Sequence, residues 1–146
     1  LSENASVIYD EVRKKVANFI GARDVSEIIF TKGTTDSINL VASSFSSLFV
    51  SGDEVIVSEI EHHSNLLPWK NLENVKGVVI KYLPVLDNGE FDYDWLLHNI
   101  SEKTKLVCVS GQSNVIGLKN DIAKICKIVP QGYVFKTHLA GMGVVF

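Results

Sequence analysis

The sequence holds little of what marks several protein classes. Its 146 residues include only two cysteines, Cys108 and Cys126, too few for the disulfide framework that staples small secreted domains, and a reducing compartment is expected. No apolar run approaches the roughly 20 residues that a membrane span requires. The opening Leu-Ser-Glu-Asn-Ala-Ser is polar and acidic, not a basic leader followed by an apolar stretch, so a cytoplasmic location is expected and no membrane partner. Basic and acidic residues are interspersed around a net charge of -3. No stripe of one sign is present to neutralise a run of phosphates, which argues against a nucleic-acid partner. Internal repeats and low-complexity linkers are also lacking.

What is present is ordinary globular material, with 46% hydrophobic and 21% charged residues. That is enough for one compact domain with a sizeable core. Ile8, Val12, Val16, Phe19 and Ile20 recur at helical spacing, and Gly21 follows where a C-terminal cap belongs. Ile28-Ile29-Phe30 reads as a short strand feeding, through Thr31-Lys32-Gly33-Thr34-Thr35, a helix with Ile38, Val41, Phe45, Leu48 and Phe49 on one face. Gly52-Asp53 marks a turn before the strand Glu54 to Ser58, and a further strand is predicted over Val78 to Leu83. Asn88-Gly89 is a turn, Asp92 caps a helix holding Trp95, Leu96 and Ile100, and Lys105 to Ser110 is a buried strand. Ile122, Ile125, Cys126 and Val129 give a last helical stripe, which with Cys108 on its strand leads us to expect both thiols in the core. Alternating helices and apolar strands predict an α/β fold: three α/β/α layers around a mostly parallel sheet.

In such folds ligands gather beyond the carboxyl ends of the strands. Three polar clusters fall there: Gly33-Thr34-Thr35, Glu61-His62-His63-Ser64-Asn65 and Gly111-Gln112-Ser113-Asn114. The first turn of a helix has backbone N–H groups without internal partners and the positive end of the helix dipole. Gly33-Thr34-Thr35 is therefore a candidate phosphate cradle, the plain alternative being a threonine cap. It lacks the Gly-x-x-x-x-Gly-Lys-Ser/Thr pattern of a nucleotide P-loop. His62 and His63 suit one imidazole stacked on a flat ligand while the other turns away, or else ordinary loop residues. A metal site is not expected, because neighbouring residues seldom point at one ion and no third ligand stands at a recognised spacing. Asn114 can donate to a phenolate oxygen or shape a turn with Gly117.

Together the strings Phe30-Thr31-Lys32-Gly33-Thr34-Thr35-Asp36-Ser37-Ile38-Asn39-Leu40-Val41, Glu61-His62-His63-Ser64-Asn65-Leu66-Leu67-Pro68-Trp69 and Ser113-Asn114-Val115-Ile116-Gly117 resemble the class V aminotransferase-like family. Within it they resemble the cysteine desulfurase and selenocysteine lyase group. The resemblance implies that residues 1–146 are part of the large, cofactor-binding domain of a fold-type I pyridoxal 5'-phosphate enzyme, that domain being incomplete and the small C-terminal domain absent. It implies that Thr34 and Thr35 hold the cofactor phosphate, that His62 stacks on the ring and helps move protons, and that Asn114 contacts the phenolic oxygen. The implied activity removes sulfur from cysteine, leaving alanine and a persulfide. The implied partners are an amino-acid substrate such as cysteine, a second copy in a homodimer and a sulfur-acceptor protein. Kynureninase, epimerase and aminotransferase activities share the same fold and phosphate site.

The pattern departs from the family after Ile128. The Asp-x-x-Gln motif, whose carboxylate pairs with the ring nitrogen, does not occur, and Leu139 stands where the family has its cofactor-linking lysine. His138 matches the family's phosphate-contacting histidine, and Lys136, just before it, is the candidate catalytic lysine. The family's persulfide cysteine and substrate-binding arginine have no counterpart. These losses leave open a second reading, a non-catalytic remnant that keeps the cradle without the chemistry.

Overall fold

The computed structural model describes residues 2–112, 117, 119–129, 134–137 and 143–145, with residues 2–3 and the last two segments described by their backbone alone. The chain divides into two compact units, Leu1–Thr31 and Lys32–Phe146.

The first unit is helix α1, Ser2–Ile20, followed by a single 3-10 turn, Val25–Glu27. The helix ends as predicted at Gly21, whose φ of 73° is open to a residue without a side chain, and Ala22 N–H closes back on the Ala17 carbonyl at 2.9 Å. Its apolar stripe is not matched by burial. Ile8, Val12 and Phe19 are exposed, Phe19 by 82%, so helical spacing here specifies the helix and not a core. Ile28-Ile29-Phe30 is not a strand. The Asp24 carboxylate accepts from Ser26 N–H at 2.8 Å and starts the 3-10 turn, after which Ile28 is extended (φ −97°, ψ 116°) but joins no ladder. Extended backbone and β-branched residues do not make a strand without a partner to receive their N–H and C=O groups.

The second unit carries the sheet. Its elements are helix α2 (Thr34–Phe45), strand β1 (Glu54–Ser58), helix α3 (Leu67–Lys76), strand β2 (Val79–Leu83), helix α4 (Tyr93–Asn99), strand β3 (Thr104–Ser110), helix α5 (Ile122–Ile128), and strands β4 (Val134–Thr137) and β5 (Gly143–Val145). The strand order is β2-β1-β3-β4-β5. The first four run parallel and β5 is antiparallel at one edge.

Side chains alternate between the two faces of a strand, and that period splits the core in two. Val55, Val57, Leu106 and Cys108 pack with Ile38 and Ala42 of α2 and with Trp69 and Leu72 of α3. Ile56, Val107 and Val109 pack on the other face with Leu96 of α4 and Ile125 of α5. Helices therefore cover both faces, giving the expected three-layer α/β/α arrangement. Strands buried on both sides read as unbroken apolar runs, which is why β1 and β3 stand out in the sequence.

Local chemistry sets the element ends. Asp92 accepts from Trp95 N–H at 2.8 Å and opens α4, and Asp121 accepts from Lys124 N–H at 3.0 Å and opens α5. Gly77 ends α3 with φ 70°, a conformation that favours glycine, and a Cβ there would lie 2.7 Å from Ser51 Oγ, so that hydroxyl would also have to move. At the amino end of the sheet the Glu54 carboxylate gathers Lys81 (2.8 Å), Ser101 (2.8 Å) and Thr104 (3.0 Å), tying β1 to β2 and β3. Burial works against its charge, but the donors outweigh it and hold this carboxyl below its ordinary value of 4.5.

Candidate functional site

With β1 and β3 parallel neighbours, Ser58 and Ser110 end at the same edge of the sheet. The segment after β1 turns at once into a 3-10 turn, His63–Asn65, capped by His62: its Nδ1 accepts from Ser64 N–H at 3.1 Å and lies 2.9 Å from Ser64 Oγ. The backbone is closed by Asn65 N–H on the His62 carbonyl at 2.8 Å. Because Nδ1 is an acceptor, the neutral imidazole carries its proton on Nε2, and the nitrogen left for a ligand is an N–H donor.

Helix α2 starts beside this turn. Gly33 is its N-cap and offers no side-chain acceptor to the first turn, and a methyl group built on it would meet nothing within 4 Å. Asp36 instead turns back to Lys32 N–H at 3.2 Å. Thr35 is exposed at the helix start and Thr34 is half-buried.

A cavity of about 630 Å³ opens between α2, the His63–Asn65 turn and α3. Thr35, Asn39, His62, His63 and Ser64 line its polar side, and Leu67, Pro68 and Val75 are among its apolar lining. This size falls within the range of small-molecule sites. The structure thus brings Thr35 and His62 to one cavity, whereas Thr34 is not on its wall. His63 does not turn away: both imidazoles line the cavity, edge to face with centroids 6.2 Å apart and planes at 80°.

The other expected residues are placed less fully. Asn114 and His138 lie outside the described residues. The third cluster begins as predicted at the end of β3, where buried Asn120 fixes both sides of the excursion by donating to the Ser110 carbonyl (2.8 Å) and the Gly111 carbonyl (3.0 Å). Lys136 lies on β4, its Cα paired with that of Val109.

Glu61, at the centre of this edge, stands in the second polar cluster of the sequence but had no role assigned to it there. The Glu61 carboxylate accepts from Ser58 Oγ (2.6 Å) and Ser110 N–H (2.6 Å) on Oε1, and from Asn65 Nδ2 (2.8 Å) and Ser110 Oγ (2.6 Å) on Oε2. Asn65 in turn accepts from the indole N–H of fully buried Trp69 at 3.2 Å. The available signal was an acid three residues after the last strand residue, Ser58, with an amide four residues further on.

The two cysteines differ, against the expectation that both sit in the core. Cys108 is fully buried on β3, and burial, followed by the charge of Glu61, pushes its thiol well above the ordinary 9.0. Cys126 is exposed on α5, about a quarter-turn round the helix from Ile125, which together with Val129 faces the core. Iodoacetamide should therefore alkylate Cys126 in the folded protein and reach Cys108 only after denaturation, as read by peptide mass mapping. Equal labelling of both under native conditions would contradict this packing.

Residues 1–139 match the family model described as aminotransferase class-V. The chain is 40% identical over 142 residues to a cysteine desulfurase of Wigglesworthia glossinidia brevipalpis, covering 97% of this chain and 35% of that protein. With a cysteine desulfurase of Dickeya dadantii it shares 43% identity over 128 residues, covering 87% and 31%. Among solved structures it resembles a cysteine desulfurase of Thermococcus onnurineus, with a TM-score of 0.81 and 38% identity, over 87% of this chain and 31% of that one. Escherichia coli CsdA, also a cysteine desulfurase, aligns with a TM-score of 0.79 and 34% identity, over 86% and 32%. The chain spans about a third of the length of these relatives.

Proposed function

This chain belongs to the class-V aminotransferase family, and on that premise we propose that it forms the cofactor-cradling part of a pyridoxal-phosphate-dependent, cysteine desulfurase-like lyase. The observation that carries the reading is the meeting of Thr35, at the start of α2, and His62, after β1, on one cavity of fitting size. The chemistry of that lining suits a phosphorylated, flat, aromatic ligand. A helix start without an N-cap acceptor suits the anion, and an imidazole suits the ring face. The cofactor, when bound, supplies an electron-withdrawing ring that stabilises negative charge on a substrate carbon.

The roles of the chain's own residues follow. Thr35, on the cavity wall, would hold the phosphate with its hydroxyl and N–H, and Thr34, half-buried in the same first turn and off that wall, would add to the same anion site. His62, with its Nδ1 engaged by Ser64, presents Nε2–H to the site and orients the ring or moves a proton. Asn114 and His138 add contacts to the phenolic oxygen and the phosphate, and Lys136 is the candidate for covalent attachment. The reaction proposed breaks the carbon–sulfur bond of cysteine and passes the sulfur to a protein thiol, so that cysteine and thiol become alanine and persulfide. Neither Cys108 nor Cys126 is assigned as that thiol, Cys108 being sealed in the core. A homodimer, a sulfur-acceptor protein and a cytoplasmic setting complete the proposal.

A second reading, a non-catalytic remnant, draws on two observations: Leu139 stands where the family's cofactor-linking lysine is expected, and no Asp-x-x-Gln motif follows Ile128. The two readings separate on borohydride reduction after addition of pyridoxal phosphate. The enzyme reading predicts a visible absorbance that borohydride bleaches, with a stable cofactor adduct mapped to the peptide carrying Lys136. A colourless protein with no adduct on any lysine would favour the remnant.

A further inference from the structure

We propose that Glu61 is the positioning residue of the site: its carboxylate locks the His62 turn to the end of β3 and so fixes where the His62 ring stands. The inference rests on the cofactor reading for its purpose, while the coupling itself rests only on geometry.

Glu61 precedes His62 in the chain and is half-buried where β1 and β3 end. Its four hydrogen bonds, two on each oxygen, come from three parts of the edge: one from Ser58 of β1, two from Ser110 of β3 and one from Asn65 of the turn. Asn65 completes the link, since its side chain is held by Glu61 and Trp69 while its N–H holds the His62 carbonyl at 2.8 Å. His62 is thus gripped at its carbonyl through Asn65 and at its ring through Ser64. Among the described residues the donors to this carboxylate are neutral. Two of them cannot reorient: Ser110 N–H is backbone, and the Asn65 amide is committed at its other end to the Trp69 indole.

That arrangement makes glutamine a poor replacement. In Glu61→Gln the amide NH₂ must face either Ser110 N–H or Asn65 Nδ2–H, a donor against a donor in both orientations. The turn must then shift, and the ring of His62 with it. A Ser110→Ala change is milder, removing one hydroxyl donor and leaving the carboxylate and the backbone bond in place.

The test reads the ring directly. The protein is labelled with ¹⁵N-histidine, and the His62 imidazole signals are assigned by their loss in His62→Asn. In the unaltered protein His62 should show a single Nε2–H tautomer. In Glu61→Gln it should become a mixture of tautomers, with affinity for pyridoxal phosphate falling roughly tenfold, and Ser110→Ala should move both readouts in the same direction by less. Should Glu61→Gln fail to give a cooperative melt, Ser110→Ala carries the test alone. An unchanged His62 ring in folded Ser110→Ala or Glu61→Gln would overturn the proposal. A ring locked in the unaltered protein and released in the variants, with no cofactor bound by any of them, would instead uphold the coupling and sink the cofactor reading.

Discussion

For the lyase proposed above, cysteine turnover is expected to fall by about 10²- to 10⁴-fold in His62→Ala, the range that a positioned acid–base group contributes. The loss should not come from unfolding. His62 is exposed, and the contacts that alanine removes are local: its cap on Ser64 N–H at 3.1 Å, worth about 0.5–2 kcal/mol, the approach of Nδ1 to Ser64 Oγ at 2.9 Å and the edge-to-face pair with His63. His62→Asn separates the two effects, because asparagine keeps a short side-chain acceptor for the cap and loses the ring. Stability near that of the unaltered protein, with turnover as low as in His62→Ala, is the expected pattern. Full turnover in His62→Asn would show that the imidazole merely caps the turn.

Trp69→Ala should destabilise the second unit by about 3–5 kcal/mol, the usual loss for a buried aromatic cut to alanine. The indole is fully buried between α2, α3 and the sheet. Its removal also leaves Asn65 Oδ1 without the donor now at 3.2 Å, and an unsatisfied buried acceptor adds to the loss. The melting temperature should drop by roughly 10 °C or more. Trp69→Phe keeps most of the volume and loses only the N–H, so it should be far milder in stability while still disturbing Asn65. A drop below about 1 kcal/mol in Trp69→Ala would contradict the central place given to this side chain.

Strands β1 and β3 were legible in the sequence because they are buried on both faces, and such strands show as contiguous apolar runs whatever lies next to them. The caps Asp92 and Asp121 and the turns at Gly21, Gly52 and Gly89 are local events, encoded within a few residues; of these, Asp92, Gly21, Gly52 and Gly89 were readable and Asp121 went unremarked. Ile28-Ile29-Phe30 misled because strand propensity is local while a strand needs a partner. Cys126 misled because one residue's offset along a helix turns a side chain from core to solvent. The candidate site showed in the sequence as three polar clusters, and the structure brings Thr35 and His62 of two of them to one cavity. The role of Glu61 did not show, since it depends on Ser110, which adjoins Glu61 only once β3 has paired with β1. A carboxylate read alone between a strand and two histidines is simply a charge.

The most direct measurement of the central claim is an equilibrium titration of the protein with pyridoxal phosphate, followed in the visible band and repeated on Thr35→Ala and His62→Ala. The account predicts one saturable site per chain, weakened in both variants because their residues share one cavity. Absence of saturable binding, or binding that neither substitution weakens, would contradict it.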